Sequence, residues 1–132
     1  SFDAVRAAFA KAQQAHEAKA KEAYAFVDGS FADLLGRRFG VGWGNRLERQ
    51  MLDFVPVVVA AGGTVGEAVD HILATKLLRK VRDRHDTRPE DLTALSERIA
   101  EAWPKLDKTT GAVRSMAIVR DELRRLGAEE EA

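Results

Sequence analysis

Apolar residues recur at helical spacing along nearly the whole of this chain, and no run alternates at the period of two that a half-buried strand requires. The pattern points to an all-α fold. Leu47, Met51, Phe54, Val55 and Val58 share one face of a helix predicted over residues 45–61. Pro56 lies inside it and should kink it, because proline lacks a backbone donor and crowds the preceding turn. Val65, Val69, Ile72, Leu73, Leu77 and Val81 form the apolar side of the next helix, whose other side carries Lys76, Arg79, Lys80 and Arg82. Leu92, Leu95, Ile99 and Trp103 define another, stopped by Pro104. The last, over about residues 110–126, aligns Ala112, Met116, Val119, Leu123 and Leu126, with Gly127 as its expected C-terminal cap.

The boundaries have their own chemistry. Gly62-Gly63 ends one helix, and Thr64 and Glu67 then stand at the spacing of a capping box, in which each side chain satisfies the other's backbone amide. Thr87 and Glu90 repeat that spacing before the helix that follows. Residues 2–27 are rich in Ala, Lys, Glu and Gln, all strong helix formers. There Phe2, Val5, Phe9, Ala12, His16, Ala23 and Phe26 fall at heptad-like intervals, interrupted by Lys19. A stripe so thin in its middle suits a long exposed arm, or two helices with a bend. Asp28-Gly29-Ser30 reads as a stop followed by an N-cap serine, with a short helix over residues 31–38. The expected architecture is one orthogonal or bundle-like domain of five or six helices. Residues 1–39 form an N-terminal arm or insertion, residues 40–127 the helical lobe, and residues 128–132 a frayed acidic tail.

A chain of 132 residues can bury one real core and not comfortably two. Acidic and basic residues balance at 21 each, so no global field favours nucleic acid or an anionic membrane, and such binding must be local. Without cysteine, disulfides and thiolate chemistry are excluded. No apolar run approaches the roughly 18 residues a membrane span needs. Asp3, Arg6 and Lys11 interrupt any signal-peptide pattern, leaving the cytoplasm as the default expectation. A start at Ser1-Phe2, already inside a helical pattern, is what an excised fragment would show.

Nothing in the chain spells an autonomous active site, and neither a catalytic residue nor a metal ligand is assigned. His16, His71 and His85 lie far apart without metal-ligand spacing, and His16 suits an interface position. Ser30 and Ser96 read as structural. Gly36, Gly40, Gly42 and Gly44 resemble a phosphate loop only in composition: the segment ends Gly44-Asn45-Arg46 and follows a helix rather than a strand. A turn that lets Trp43 pack against the backbone explains them as well. Arginine is more informative. Arg37 and Arg38 close one helix, and Arg46 and Arg49 open the next, where positive charge opposes the helix dipole. Either a ligand's phosphate or carboxylate meets these guanidinium forks, or they are surface arginines paired with Glu48 or Asp53. Arg79, Lys80, Arg82 and Arg84 form a second basic run, diluted by Asp83 and Asp86. Cations late in a helix suit its dipole, and a nucleic-acid patch is the functional alternative.

The order of these signals resembles the C-terminal helical lid subdomain of AAA+ ATPases, in particular the McrB-like motor subunits of restriction systems. In that group an arginine opens a helix of the form Arg-x-x-x-(Glu/Gln)-(aliphatic)-Leu-x-(Tyr/Phe), which Arg46-Leu47-Glu48-Arg49-Gln50-Met51-Leu52-Asp53-Phe54 matches. A glycine turn and an amphipathic helix follow. That helix ends Lys76-Leu77-Leu78-Arg79-Lys80-Val81-Arg82, with Arg79 where the group usually has proline. Arg114-Ser115 approximates the basic-serine start of the group's last helix. The resemblance covers residues 40–127. It implies a nucleotide-sensing, oligomer-forming lid of a larger motor NTPase, not catalytic alone. Arg46, or Arg49 one turn on, would touch the phosphates of ATP or GTP, which with Mg would be bound mainly by a separate core domain. The implied partners are that core and neighbouring subunits. A free-standing adaptor that binds a protein through residues 1–27, and a helical nucleic-acid binder using Arg79, Lys80, Arg82 and Arg84, are the alternatives.

Overall fold

A computed structural model of the chain describes the backbone of residues 1–84 and 86–131, and within these the side chains as far as Gly127. His85, and the side chains of the expected acidic tail, lie outside the described residues. As the periodicity predicts, the described residues hold helices and no strand. They form α1 (Phe2–Phe39), α2 (Asn45–Ala60), α3 (Val65–Ile72), a π turn (Leu73–Leu77), α4 (Leu78–Arg82), α5 (Pro89–Ala102), a 3-10 turn (Trp103–Lys105) and α6 (Val113–Glu131). All pack around one core. Phe31 and Leu35 of α1, Met51 and Val55 of α2, Val69 of α3, Leu77 and Leu78, and Leu92 and Leu95 of α5 are its buried centre. No helix is long and apolar enough to cross a membrane among the described residues.

α1 corrects two expectations. It runs through Asp28, Gly29 and Ser30 without a stop, so Ser30 caps nothing and residues 31–38 are no separate helix. Val27 and Phe31 are fully buried on either side of this triplet. Their packing outweighs the roughly 1 kcal/mol that a glycine costs inside a helix. Nor are residues 1–39 an arm apart from a lobe at 40–127. Ala20, Ala23, Val27, Phe31, Leu35 and Phe39 lie in the same core as α2 and α5. What projects is the first part of α1, and a bend separates it. His16 has non-helical dihedrals (φ −123°, ψ 18°), and Phe2, Val5 and Phe9 are 75%, 66% and 41% exposed. Gln13 ties this part to α2 by donating Nε2 to Asp53 Oδ1 at 2.7 Å.

Elsewhere some local signals hold and others do not. α2 is one continuous helix with the buried Pro56 inside it. The helix expected over residues 65–81 widens at the π turn, where Leu78 N–H reaches back five residues to the Leu73 carbonyl. The Thr64–Glu67 capping box forms, with bonds of 3.0 and 3.2 Å. The Thr87–Glu90 box does not: Arg88 is the N-cap of α5, Pro89 takes the first helical position, and Thr87 lies one residue outside. α6 starts at Val113 and passes through Gly127, which therefore is no cap. Gly127 has no positive φ, and without a left-handed turn a glycine weakens a helix without ending it.

Asp107 joins the α5–α6 connection to the start of α3. Its carboxylate accepts from Gly66 N at 3.0 Å, Thr109 N at 2.8 Å, Thr109 Oγ1 at 2.6 Å and Thr110 Oγ1 at 2.8 Å. Thr110 Oγ1 in turn lies 2.9 Å from the capping hydroxyl of Thr64. A Cβ at position 66 would sit 2.6 Å from both Asp107 Oδ2 and Thr110 Oγ1, so any larger residue there would have to displace these bonded side chains. Burial by itself would raise the Asp107 pKa. The bonds from Thr109, Thr110 and Thr64 outweigh it and hold the carboxyl well below its ordinary value. A depressed folded pKa stabilises the fold above the ordinary carboxylate range, and the contribution is lost as pH falls below it. The thermal midpoint should therefore drop between about pH 5 and about pH 2. Asp107→Asn should be less stable at neutral pH and lose less over that interval, as parallel melts by circular dichroism would show.

Candidate phosphate-binding hollow

The connection from α1 to α2 sets up the most chemically distinct surface. Gly40 ends α1 in the left-handed region (φ 64°), and its amide reaches the Gly36 carbonyl at 3.1 Å. Val41 is buried, and Trp43 is half-buried against the core. Gly44 then opens α2 with no side-chain cap. With Leu47 and Met51 anchored inside, Arg46 and Gln50 turn to the surface.

Opposite them stands the α3–α4 segment. Leu73, Leu77, Leu78 and Val81 point into the core, leaving Lys76 and Lys80, one helical turn apart, exposed together. The two banks enclose a hollow of about 460 Å³ lined by Trp43, Arg46, Gln50, Lys76, Lys80 and the intervening backbone of Gly42 and Gly44, with Leu47 and Leu77 as its apolar floor. No carboxylate lines it, although the chain has as many acidic as basic residues. Among the described residues Arg46, Lys76 and Lys80 have no ion-pair or side-chain hydrogen-bond partner. Three like charges facing one space without a counter-charge repel each other, and an anion would relieve that repulsion. The π turn contributes Lys76 itself, and such turns recur at functional sites.

The structure separates the two arginines that the sequence leaves as alternatives. Arg49 lies in a different groove, whose lining also holds Gln13, Glu17 and Asp53, the first carboxylate paired with Lys21 and the second with Gln13. The basic run also divides. Arg84 donates to the Phe39 carbonyl at the end of α1 and pairs with Asp86 at 3.0 Å, so it secures a helix end. Arg79, Lys80 and Arg82 remain exposed. Trp43, Gln50 and Lys76 line the hollow although nothing in their sequence pattern marks them as ligand contacts. The four-residue spacing of Lys76 and Lys80 is visible in sequence, but their placement across from Arg46 comes only from packing α2 against α3.

Other polar clusters are structural. The buried Asp70 accepts from Arg114 N and Ser115 N, both at 2.9 Å, and from Ser115 Oγ at 2.6 Å, capping α6 from another helix. His71 stacks on Phe54 with ring centres 5.0 Å apart, and its Nδ1 lies 3.1 Å from Arg114 Nη1. No group of three or more His, Cys, Asp or Glu side chains that could hold a metal ion occurs among the described residues. No protein-family model, no curated protein and no solved structure matches this chain.

Proposed function

We propose that this chain is a nucleotide-sensing helical lobe, the lid of an AAA+-type NTPase whose core supplies the catalytic groups, and that Arg46 meets the nucleotide phosphates. Support comes from one observation: Arg46 faces Lys76 and Lys80 across a hollow without a carboxylate. A guanidinium offers a permanently charged fork to phosphate oxygens, and the two ammonium groups add point charges beside it. A triphosphate carries more charge than a diphosphate and draws these groups more strongly. Hydrolysis in an adjoining core would then release the lobe, turning chemistry into a rigid-body rotation. ATP or GTP, with Mg held mainly by that core, is the implied cofactor, and the core and neighbouring subunits are the implied partners.

Adding a nucleoside triphosphate to the isotope-labelled chain should shift the amide resonances of residues 42–50 and 76–80 before any others. Arg46→Ala should weaken this response about tenfold, a loss fitting one charge-assisted contact, while leaving helicity unchanged. In a polypeptide that joins the lobe to its motor core, the same change should slow nucleotide turnover by about tenfold. Shifts that ignore the hollow, or turnover indifferent to Arg46, would remove the proposed role.

A second reading has its own support. Phe2, Val5 and Phe9 expose an apolar stripe on the projecting part of α1, as a protein-interaction adaptor would. Phe2→Ser combined with Phe9→Ser should abolish partner or self-association in that case, and should leave the sedimentation of the chain unchanged otherwise.

A further inference from the structure

We infer that the hollow takes the nucleoside part of its ligand as well as the phosphates, with Trp43 as the stacking wall for the base. This assignment rests on the nucleotide role of Arg46 and adds a subsite for the base, which a bare phosphate or polyphosphate would leave empty. The observation is the juxtaposition of an indole with three uncompensated cations. Trp43 lines the same hollow as Arg46, Lys76 and Lys80. It is only half-buried, whereas Trp103 is almost wholly so. Trp103 is accounted for, since its Nε1 donates to the Thr110 carbonyl at 3.0 Å. The described residues give the Trp43 indole nitrogen no hydrogen-bond partner.

A site for simple anions needs no aromatic wall. A base, by contrast, presents a π face that an indole can cover whatever its hydrogen-bonding edge, and such stacking is worth roughly 5- to 150-fold in affinity. The dimensions agree: about 460 Å³ lies within the range of small-molecule sites and exceeds what a single phosphate fills. Gln50, in the same lining, offers an amide donor and acceptor beside the charges.

The chain contains two tryptophans, and only Trp43 is accessible, so its fluorescence reports the site directly. ATP, GTP, sodium tripolyphosphate and a single-stranded oligonucleotide would be titrated separately at fixed ionic strength. The expected result is that ATP and GTP quench the emission and bind about tenfold tighter than tripolyphosphate. Trp43→Leu should remove that advantage while leaving tripolyphosphate binding in place, and Trp43→Phe should restore most of it. Protection of Trp43 from acrylamide by ATP in the unaltered chain tests the stacking even if Trp43→Leu proves unstable. Equal affinity for ATP and tripolyphosphate, with unchanged emission, would overturn the stacking role and leave the phosphate contact of Arg46 standing. Binding of neither would overturn both. An oligonucleotide that binds more tightly than ATP would also overturn it, making the hollow and the exposed Arg79 and Arg82 a strand-binding face.

Discussion

Phe31→Ala should destabilise the domain by about 3–5 kcal/mol, the usual cost of emptying a buried aromatic site. Its ring is fully buried and meets Phe26 edge-on with centres 5.8 Å apart, and Phe26 meets Trp103 in the same way at 5.7 Å. Truncation would remove one end of a chain of three aromatic rings linking α1 to the end of α5. Domains of this size are stable by only about 5–15 kcal/mol, so the loss is a large share of the total. The matched control is Phe2→Ala. That residue is as large and three-quarters exposed, and its change should fall within about 0.5 kcal/mol. Urea unfolding of both variants measures where the projecting part of α1 gives way to the core. If Phe31→Ala unfolds at the same midpoint as Phe2→Ala, residues 20–39 are not the core helix described above.

That contrast shows what the sequence could and could not convey. Helical class, the inward faces of α2 and α5, and the Thr64–Glu67 cap follow from local periodicity and side-chain spacing, and the structure agrees. Asp28-Gly29-Ser30 carries an equally strong local signal and is overruled, because Val27 and Phe31 are held by residues far away in sequence. The same limit hid half of the hollow. Arg46 is conspicuous, since a cation at a helix start goes against the dipole. Lys76 and Lys80 look like an ordinary solvated face until the fold sets them opposite it. Arg84 errs in the other direction: in sequence it belongs with the basic run, yet in space it closes the end of α1 at Phe39. Charge can be counted along a chain, but whether a cation has a counter-charge is a property of packing.

Asp70 makes the strongest case for a residue whose importance no pattern announces. Asp70→Ala should cost about 3–5 kcal/mol: roughly 1–2 for a lost helix cap, and the remainder for the buried donors left without an acceptor. Arg114 N, Ser115 N and Ser115 Oγ all bond to this one carboxylate, and Ser115 is fully buried, so water cannot take its place without opening the contact. Asp70→Asn should fall between wild type and Asp70→Ala, because one carbonyl oxygen remains while the amide group brings donors toward donors. Ser115→Ala should cost less than either, since it removes a donor and its acceptor finds the two backbone amides still present. Denaturant midpoints ranked in any other order would reject this view of the cap. The consequence extends to the hollow. Asp70 belongs to α3, which leads without a break through the π turn to Lys76 and Lys80, and its bonds clamp that segment against α6. A milder variant that stays folded, Asp70→Asn, should therefore weaken triphosphate binding although Asp70 does not line the hollow. The position of two of the three cations depends on the bank that carries them.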